Sequence, residues 1–205
     1  MRYILLFILT AFTFETFAQS DVAGVIKAYN TIATTNEVGK TQAQMARIEA
    51  ELTTFFACME ANDWDKAHKS VKKLYKLDKT NRALHYTTIG YMLEMKNEIN
   101  KATKIYQRAI TQYKDAEWAY FNMGRVYYYK GFEILVNTQN QAMPTEQYYT
   151  EREKAQAYFR QALPFFETGY QINRNIDFLP CLRTIYYTLE MNDKFFEIEQ
   201  LIEGK

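Results

Sequence analysis

Apolar residues recur along most of this chain at spacings of three and four, which places them on one face of an α-helix. Val22, Val25, Ile26, Tyr29 and Ile32 form one such series and predict a helix ahead of the main body. Towards the other end, Leu182, Ile185, Tyr186 and Leu189, followed by Phe196, Ile198, Leu201 and Ile202, predict a further helical segment. Between them, Asn62-Asp63-Trp64-Asp65-Lys66-Ala67 and Asn97-Glu98-Ile99-Asn100-Lys101-Ala102 read as tight turns that each open a new helix. Asp63 and Asp65 are placed to cap its N-terminus. Asn137-Thr138-Gln139-Asn140-Gln141 with Met143-Pro144 reads as a polar loop between two helical extensions. Pro164 falls inside the helix predicted after that loop, where it removes one amide donor and should bend the axis.

The first residues follow a different pattern. Met1-Arg2, the apolar run Tyr3 to Phe14 and the closing Glu15 have the layout of a secretory signal, with the cut expected after Ala18. The run falls short of the roughly 20 apolar residues that span a bilayer as a helix. No Cys follows the cut to carry a lipid anchor. The expectation is an exported protein, periplasmic or secreted, that starts near Gln19 and has no membrane span after cleavage.

The main body repeats itself. Tyr86-x-x-Ile89-Gly90-x-x-Leu93 returns as Tyr120-x-x-Met123-Gly124-x-x-Tyr127, an offset of 34, and the two turn segments lie 35 apart. Ala102, Tyr106 and Ala109 correspond to Ala162, Phe166 and Gly169, with Ala67, Val71 and Leu74 a looser counterpart. Small residues at such positions let antiparallel helices approach, and bulky ones fill the space above them. On these residues the chain resembles the tetratricopeptide repeat (TPR) family from about Ile48 to Glu203. The resemblance implies an all-α, TPR-like right-handed solenoid of helical hairpins, with an extra N-terminal helix and an insertion in the third repeat. The insertion accounts for Ala162 lying 60 positions after Ala102 where 34 would be regular. The expected organisation is a signal peptide over 1–18, an N-terminal helical extension over 19–47 and a repeat domain over 48–205. Its units run over about 48–82, 83–116, 117–176 with the insertion at 132–154, and 177–205. The last unit matches loosely, as a capping repeat would.

Composition narrows the possible functions. With 25 Lys+Arg against 24 Asp+Glu, the net charge of +1 argues against a large nucleic-acid footprint. The 48% hydrophobic content supplies a core, whereas 7 Gly and 3 Pro are too few for a fold of many short strands. Cys58 and Cys181 are too few for a disulfide framework and fall in units that are not neighbours, so free, buried thiols are expected. His68 and His85 have no second His or Cys at metal-ligand spacing, and His85 is expected on a helix surface. No Gly-rich phosphate loop and no nucleophile with a neighbouring base can be drawn. The expectation is therefore no enzyme, no cofactor and no metal.

The aromatic residues carry the remaining signal. In the family that the chain resembles, the first helix of each unit lines a concave surface. The resemblance places Leu84, Thr87, Tyr91, Glu94 and Met95 there from one unit, and Trp118, Phe121, Arg125, Tyr128 and Tyr129 from the next. Tyr91, Trp118, Phe121, Arg125, Tyr128 and Tyr129 are the candidate partner-binding residues: rigid rings with one guanidinium, suited to a protein or peptide. Two readings stand for them, an open groove or rings folded into core beneath the insertion and the N-terminal helix. The carboxylate clamp known in the family needs Lys and Asn where this chain has Thr87, Tyr91, Phe121 and Arg125, so that subtype is not expected. The expected function is a non-catalytic protein-protein interaction module or assembly adaptor in the cell envelope. The alternatives are a self-assembling structural subunit, making a homo-oligomer, or a binder of envelope glycans or small ligands.

Overall fold

The computed structural model describes residues 29, 40–139 and 146–204. The expected signal peptide, most of the N-terminal helix and the centre of the polar loop lie outside the described residues. The chain divides into two compact units, residues 1–81 and 82–205. Among the described residues every regular element is helical, and the helices pack in consecutive pairs.

The first unit holds α1 (Gln42–Glu60) and α2 (Trp64–Leu77). A capping box starts α1: Thr41 Oγ1 accepts from the Gln44 amide at 3.2 Å, and Gln44 Oε1 accepts from the Thr41 amide at 3.0 Å. The expected cap of α2 is present, with Asp63 accepting from the Lys66 amide at 3.1 Å. Ala67, Ser70, Val71 and Leu74 recur at helical spacing and are buried, opposite Phe55, Cys58 and Met59 of α1. Tyr29 is helical, 2% exposed, and packs its ring against Phe55 and Phe56 at 5.4 and 6.0 Å. Buried Asp78 closes the unit by pairing with Lys40 at 2.9 Å and accepting from the Asn81 amide side chain at 2.6 Å.

The second unit holds α3 (Arg82–Met95), α4 (Ile99–Gln112), α5 (Glu117–Gln139) and α6 (Glu146–Asn173). A 3-10 turn (Ile176–Phe178) leads into α7 (Leu179–Thr188) and α8 (Asn192–Ile202). The pairs are α3 with α4, α5 with α6, and α7 with α8. The long α5 and α6 are the expected extensions on either side of the polar loop. Residue 164 lies within α6, which runs unbroken through Pro164.

One turn is used three times. Asn62, Asn97 and Glu190 have φ of 55°, 60° and 59°, and each follows the first helix of a pair. In each case the amide one residue later bonds back across the turn: Asp63 to Cys58 O at 2.9 Å, Glu98 to Leu93 O at 2.8 Å and Met191 to Tyr186 O at 2.9 Å. This is the Schellman arrangement, which satisfies the last carbonyls of the helix while reversing the chain within two residues. Asn tolerates the left-handed backbone, whereas Glu190 adopts it at a cost of about 1 kcal/mol. Aligning the turns places α8 on α4 with an offset of 93, so the turn of α7–α8 repeats that of α3–α4.

Glycines set the approach within and between pairs. A Cβ on Gly90 would meet the Tyr106 ring at 2.5 Å, and one on Gly124 the Phe166 ring at 3.0 Å. One on Gly169 would meet the Phe178 ring at 2.4 Å and Tyr120 Cβ at 3.0 Å. Two expectations are corrected by this packing. His85 is 1% exposed rather than on a surface, because α3 is buried on nearly all sides from Leu84 to Leu93. Both thiols are free, but only Cys58 is buried; Cys181 is half-buried on the short α7.

Gly169→Ala should lower stability by about 1–3 kcal/mol despite the better helix propensity of Ala, because the ring it meets is fully buried and cannot swing away. Gly124→Ala, with a looser contact, should cost less. Urea midpoints of the two variants check the order.

Candidate functional site

The candidate residues all belong to α3 and α5 in the second unit, and the structure separates them into two groups. Tyr91, Arg125 and Tyr128 are 2%, 3% and 5% exposed. Trp118, Phe121 and Tyr129 are half-buried.

By contact rather than exposure, Arg125 is the centre of one cluster. Its Nη2 donates to Glu94 Oε2 at 2.8 Å, and the guanidinium carbon lies 5.4 Å from the centre of the Tyr91 ring and 5.8 Å from that of Tyr129. The same Glu94 oxygen accepts from the Tyr106 hydroxyl at 2.8 Å. Glu94 thus takes up the charge of Arg125, and the two rings cover the guanidinium faces with their negative quadrupoles. Burial, together with the Glu94 carboxylate, pushes the Tyr106 hydroxyl well above its usual range, so it stays a proton donor.

Tyr128 belongs to a different cluster. Its ring lies 5.5 Å from Phe159, 5.7 Å from Phe132 and 6.0 Å from Phe166, where α5 meets α6. Gly131 makes that approach possible, since a Cβ there would meet Ala155 O at 3.0 Å. Phe121 stands edge-on to Phe166 and Phe178 at 5.6 and 5.1 Å, and Trp118 stands edge-on to Phe121 at 5.7 Å. From Tyr128 to Trp118, the rings pass from fully packed to half-open to solvent.

The structure therefore brings Tyr91, Arg125 and Tyr129 together, and Trp118, Phe121 and Tyr128 together through Phe166, and the Tyr128 and Tyr129 rings, 6.0 Å apart, join the two clusters. Sequence reasoning missed the role of Tyr106. The available signal was the hydroxyl itself: its counterpart in the next pair is Phe166, so an oxygen at this position needs a partner. Among the described residues, no group of three or more His, Cys, Asp or Glu could hold a metal ion, and no helix is long and apolar enough to cross a membrane. Compared with family models and with curated proteins, the chain matches none.

Glu94→Ala should cost about 3 kcal/mol in denaturant unfolding, because it removes the carboxylate paired with a buried guanidinium. Tyr106→Phe should cost only about 1–2 kcal/mol, the loss of one bond to a charged acceptor. Tyr106, Tyr128 and Tyr186 are each raised chiefly by burial, with Glu167 adding to the shift at Tyr186. A raised folded value means stability is intact below the unfolded value of about 10 and is lost as pH rises beyond it. In an alkaline titration these three should ionise only as the helical signal disappears, read as phenolate absorbance against circular dichroism.

Proposed function

We propose that this protein is a TPR-like helical-repeat protein that acts as a non-catalytic interaction module, binding a protein or peptide through the first helices of its pairs. The observation that carries the reading is the graded aromatic surface of α5. Trp118, Phe121 and Tyr129 keep part of their rings accessible, while Tyr91, Arg125 and Tyr128 beneath them are locked by packing. Half-open rings on an immobile floor lose little entropy when a partner covers them. The repeated Schellman turns and the recurring Gly–ring contacts support the repeat assignment. In this reading Arg125 serves as part of the floor, since Glu94 already occupies it. The layout of the first 18 residues supports placement in the cell envelope, as a periplasmic or secreted adaptor.

A second reading, self-association, is favoured by a separate observation. Tyr187, Phe196, Leu201 and Ile202 of α7 and α8 are 66%, 62%, 42% and 47% exposed. Apolar side chains gathered at one end of a chain are a common basis for contact between copies.

Trp118→Ala should weaken the partner by about 2 kcal/mol while leaving the thermal melt close to that of the parent. The check is capture of binding proteins from envelope extract by parent and variant in parallel. Light scattering over a range of concentrations tests the second reading: a constant monomer mass rules out self-association, and a mass that rises and is reset by Phe196→Asp supports it.

A further inference from the structure

The net charge of +1 conceals a strong segregation of charge. Residues 64–79 carry Lys66, Lys69, Lys72, Lys73, Lys76 and Lys79 against Asp65 and Asp78. Of these two carboxylates, Asp78 is buried and engaged by Lys40. All six lysines are exposed. The five on α2 itself, Lys66 to Lys76, fall within an arc of about 120° at 100° per residue. That arc lies directly opposite the buried Ala67, Ser70, Val71 and Leu74.

The pattern returns 35 positions later. Lys101, Lys104, Arg108 and Lys114 of α4 and its C-terminal flank take the registers of Lys66, Lys69, Lys73 and Lys79, and all are exposed. Residues 99–114 contain no acidic residue. The corresponding face of α6 reads Gln161, Pro164, Glu167, Thr168 and Gln171, so α6 lacks the basic face of α2 and α4. Asp63 pairs with Lys66, Glu51 with Lys73 at 3.3 Å and Glu98 with Lys101, while no ion pair engages Lys72, Lys76 or Lys79 among the described residues.

We propose that the outer face of α2, and separately that of α4 within its own unit, is a docking surface for a bilayer rich in anionic lipid headgroups. Charge complementarity selects the occupant. Nine of these ten cations are lysines, hydrated point charges on flexible stems, which suit a diffuse field of headgroups better than the paired oxygens that arginine grips. No large exposed apolar residue lies on either helix, so the face lacks the anchor that a protein partner would need. It likewise lacks the exposed rings on which single-stranded bases would stack. The apolar faces of both helices are already buried against their pair partners, so docking is peripheral and electrostatic, without insertion.

The test is sedimentation of the full chain with vesicles of phosphatidylcholine alone and of phosphatidylcholine mixed with phosphatidylglycerol. The apolar run Tyr3 to Phe14 could bind both kinds, so the readout is the difference between them. The parent should prefer anionic vesicles and lose that preference in high salt. Each lysine contributes about a fivefold factor, so Lys69→Gln/Lys72→Gln/Lys76→Gln should lower the preference by roughly a hundredfold with an unchanged circular dichroism spectrum. Lys130→Gln/Lys154→Gln, on α5 and α6, should leave it nearly intact. Equal binding to both vesicle types, or an undiminished preference in the folded triple variant, overturns the proposal. Retention on duplex DNA or polyglutamate without a preference for anionic vesicles also overturns it, assigning the face to nucleic acid or to an acidic protein.

Discussion

Two antiparallel helices lie close most readily where a large side chain on one faces a small one on the other, and this requirement shapes three of the four described pairs. In α3–α4 the small member is Gly90 and the large one Tyr106; in α5–α6 they are Gly124 and Phe166. The turn alignment locates the same position in the other pairs. In α1–α2 it is held by Phe55 and Val71, both fully buried, so the bulk has moved from the second helix to the first while the pair still combines a ring with a smaller residue. Such a compensated exchange is what close-packed interiors tolerate. In α7–α8 the position holds Arg183 and Glu199, which form an ion pair instead.

The same constraint generates the polar cluster of the second unit. With only hydrogen at Gly90, the Tyr106 ring lies against α3 and its hydroxyl reaches Glu94, one turn further along. Glu94 is then fixed where it can neutralise Arg125 of α5, so a packing contact within one pair orients a charge belonging to the next. Phe166 occupies the equivalent place one pair later, without a hydroxyl, and the residue in register with Glu94 is Tyr128. There the cluster is wholly aromatic. One backbone arrangement thus supports two chemically different interiors, and only the first can hold a buried cation.

Much of the fold was legible because the repeat is written in residue sizes. Gly90 and Gly124, with the bulky residues around them, gave the 34-residue offset, and Asn62 and Asn97 marked turns that adopt the same left-handed backbone. The extensions around the polar loop were visible in the 60-residue interval from Ala102 to Ala162. The pair α7–α8 looked degenerate because its motif positions changed chemistry, although Leu179, Leu182 and Tyr186 keep the registers of Tyr86, Ile89 and Leu93. Its turn geometry survives at Glu190, a residue that sequence does not associate with positive φ. The site was less legible. Which rings stay accessible depends on neighbours distant in sequence: Phe178 beside Phe121, and Phe159 beside Tyr128. The burial of His85 escaped for a related reason, since a helix buried on nearly all sides has no polar stripe by which to judge a single residue.

The last pair also differs from the others at the position one turn beyond the ring. In α4 the residue one turn beyond Tyr106 is Ala109, which packs with Ala116 and Ala119 at the start of the next pair. In α6 the equivalent residue is Gly169, which admits Phe178 and Tyr120. Both are small where the next element crosses, whereas α2 has the fully buried Leu74 in the same register. In α8 the register falls on Ile202, which is 47% exposed. Ile202 is close in size to Leu74 but stays exposed, so at this register exposure rather than bulk sets α8 apart. Any surface that covers Phe196, Leu201 and Ile202 would bury apolar side chains that α8 leaves open.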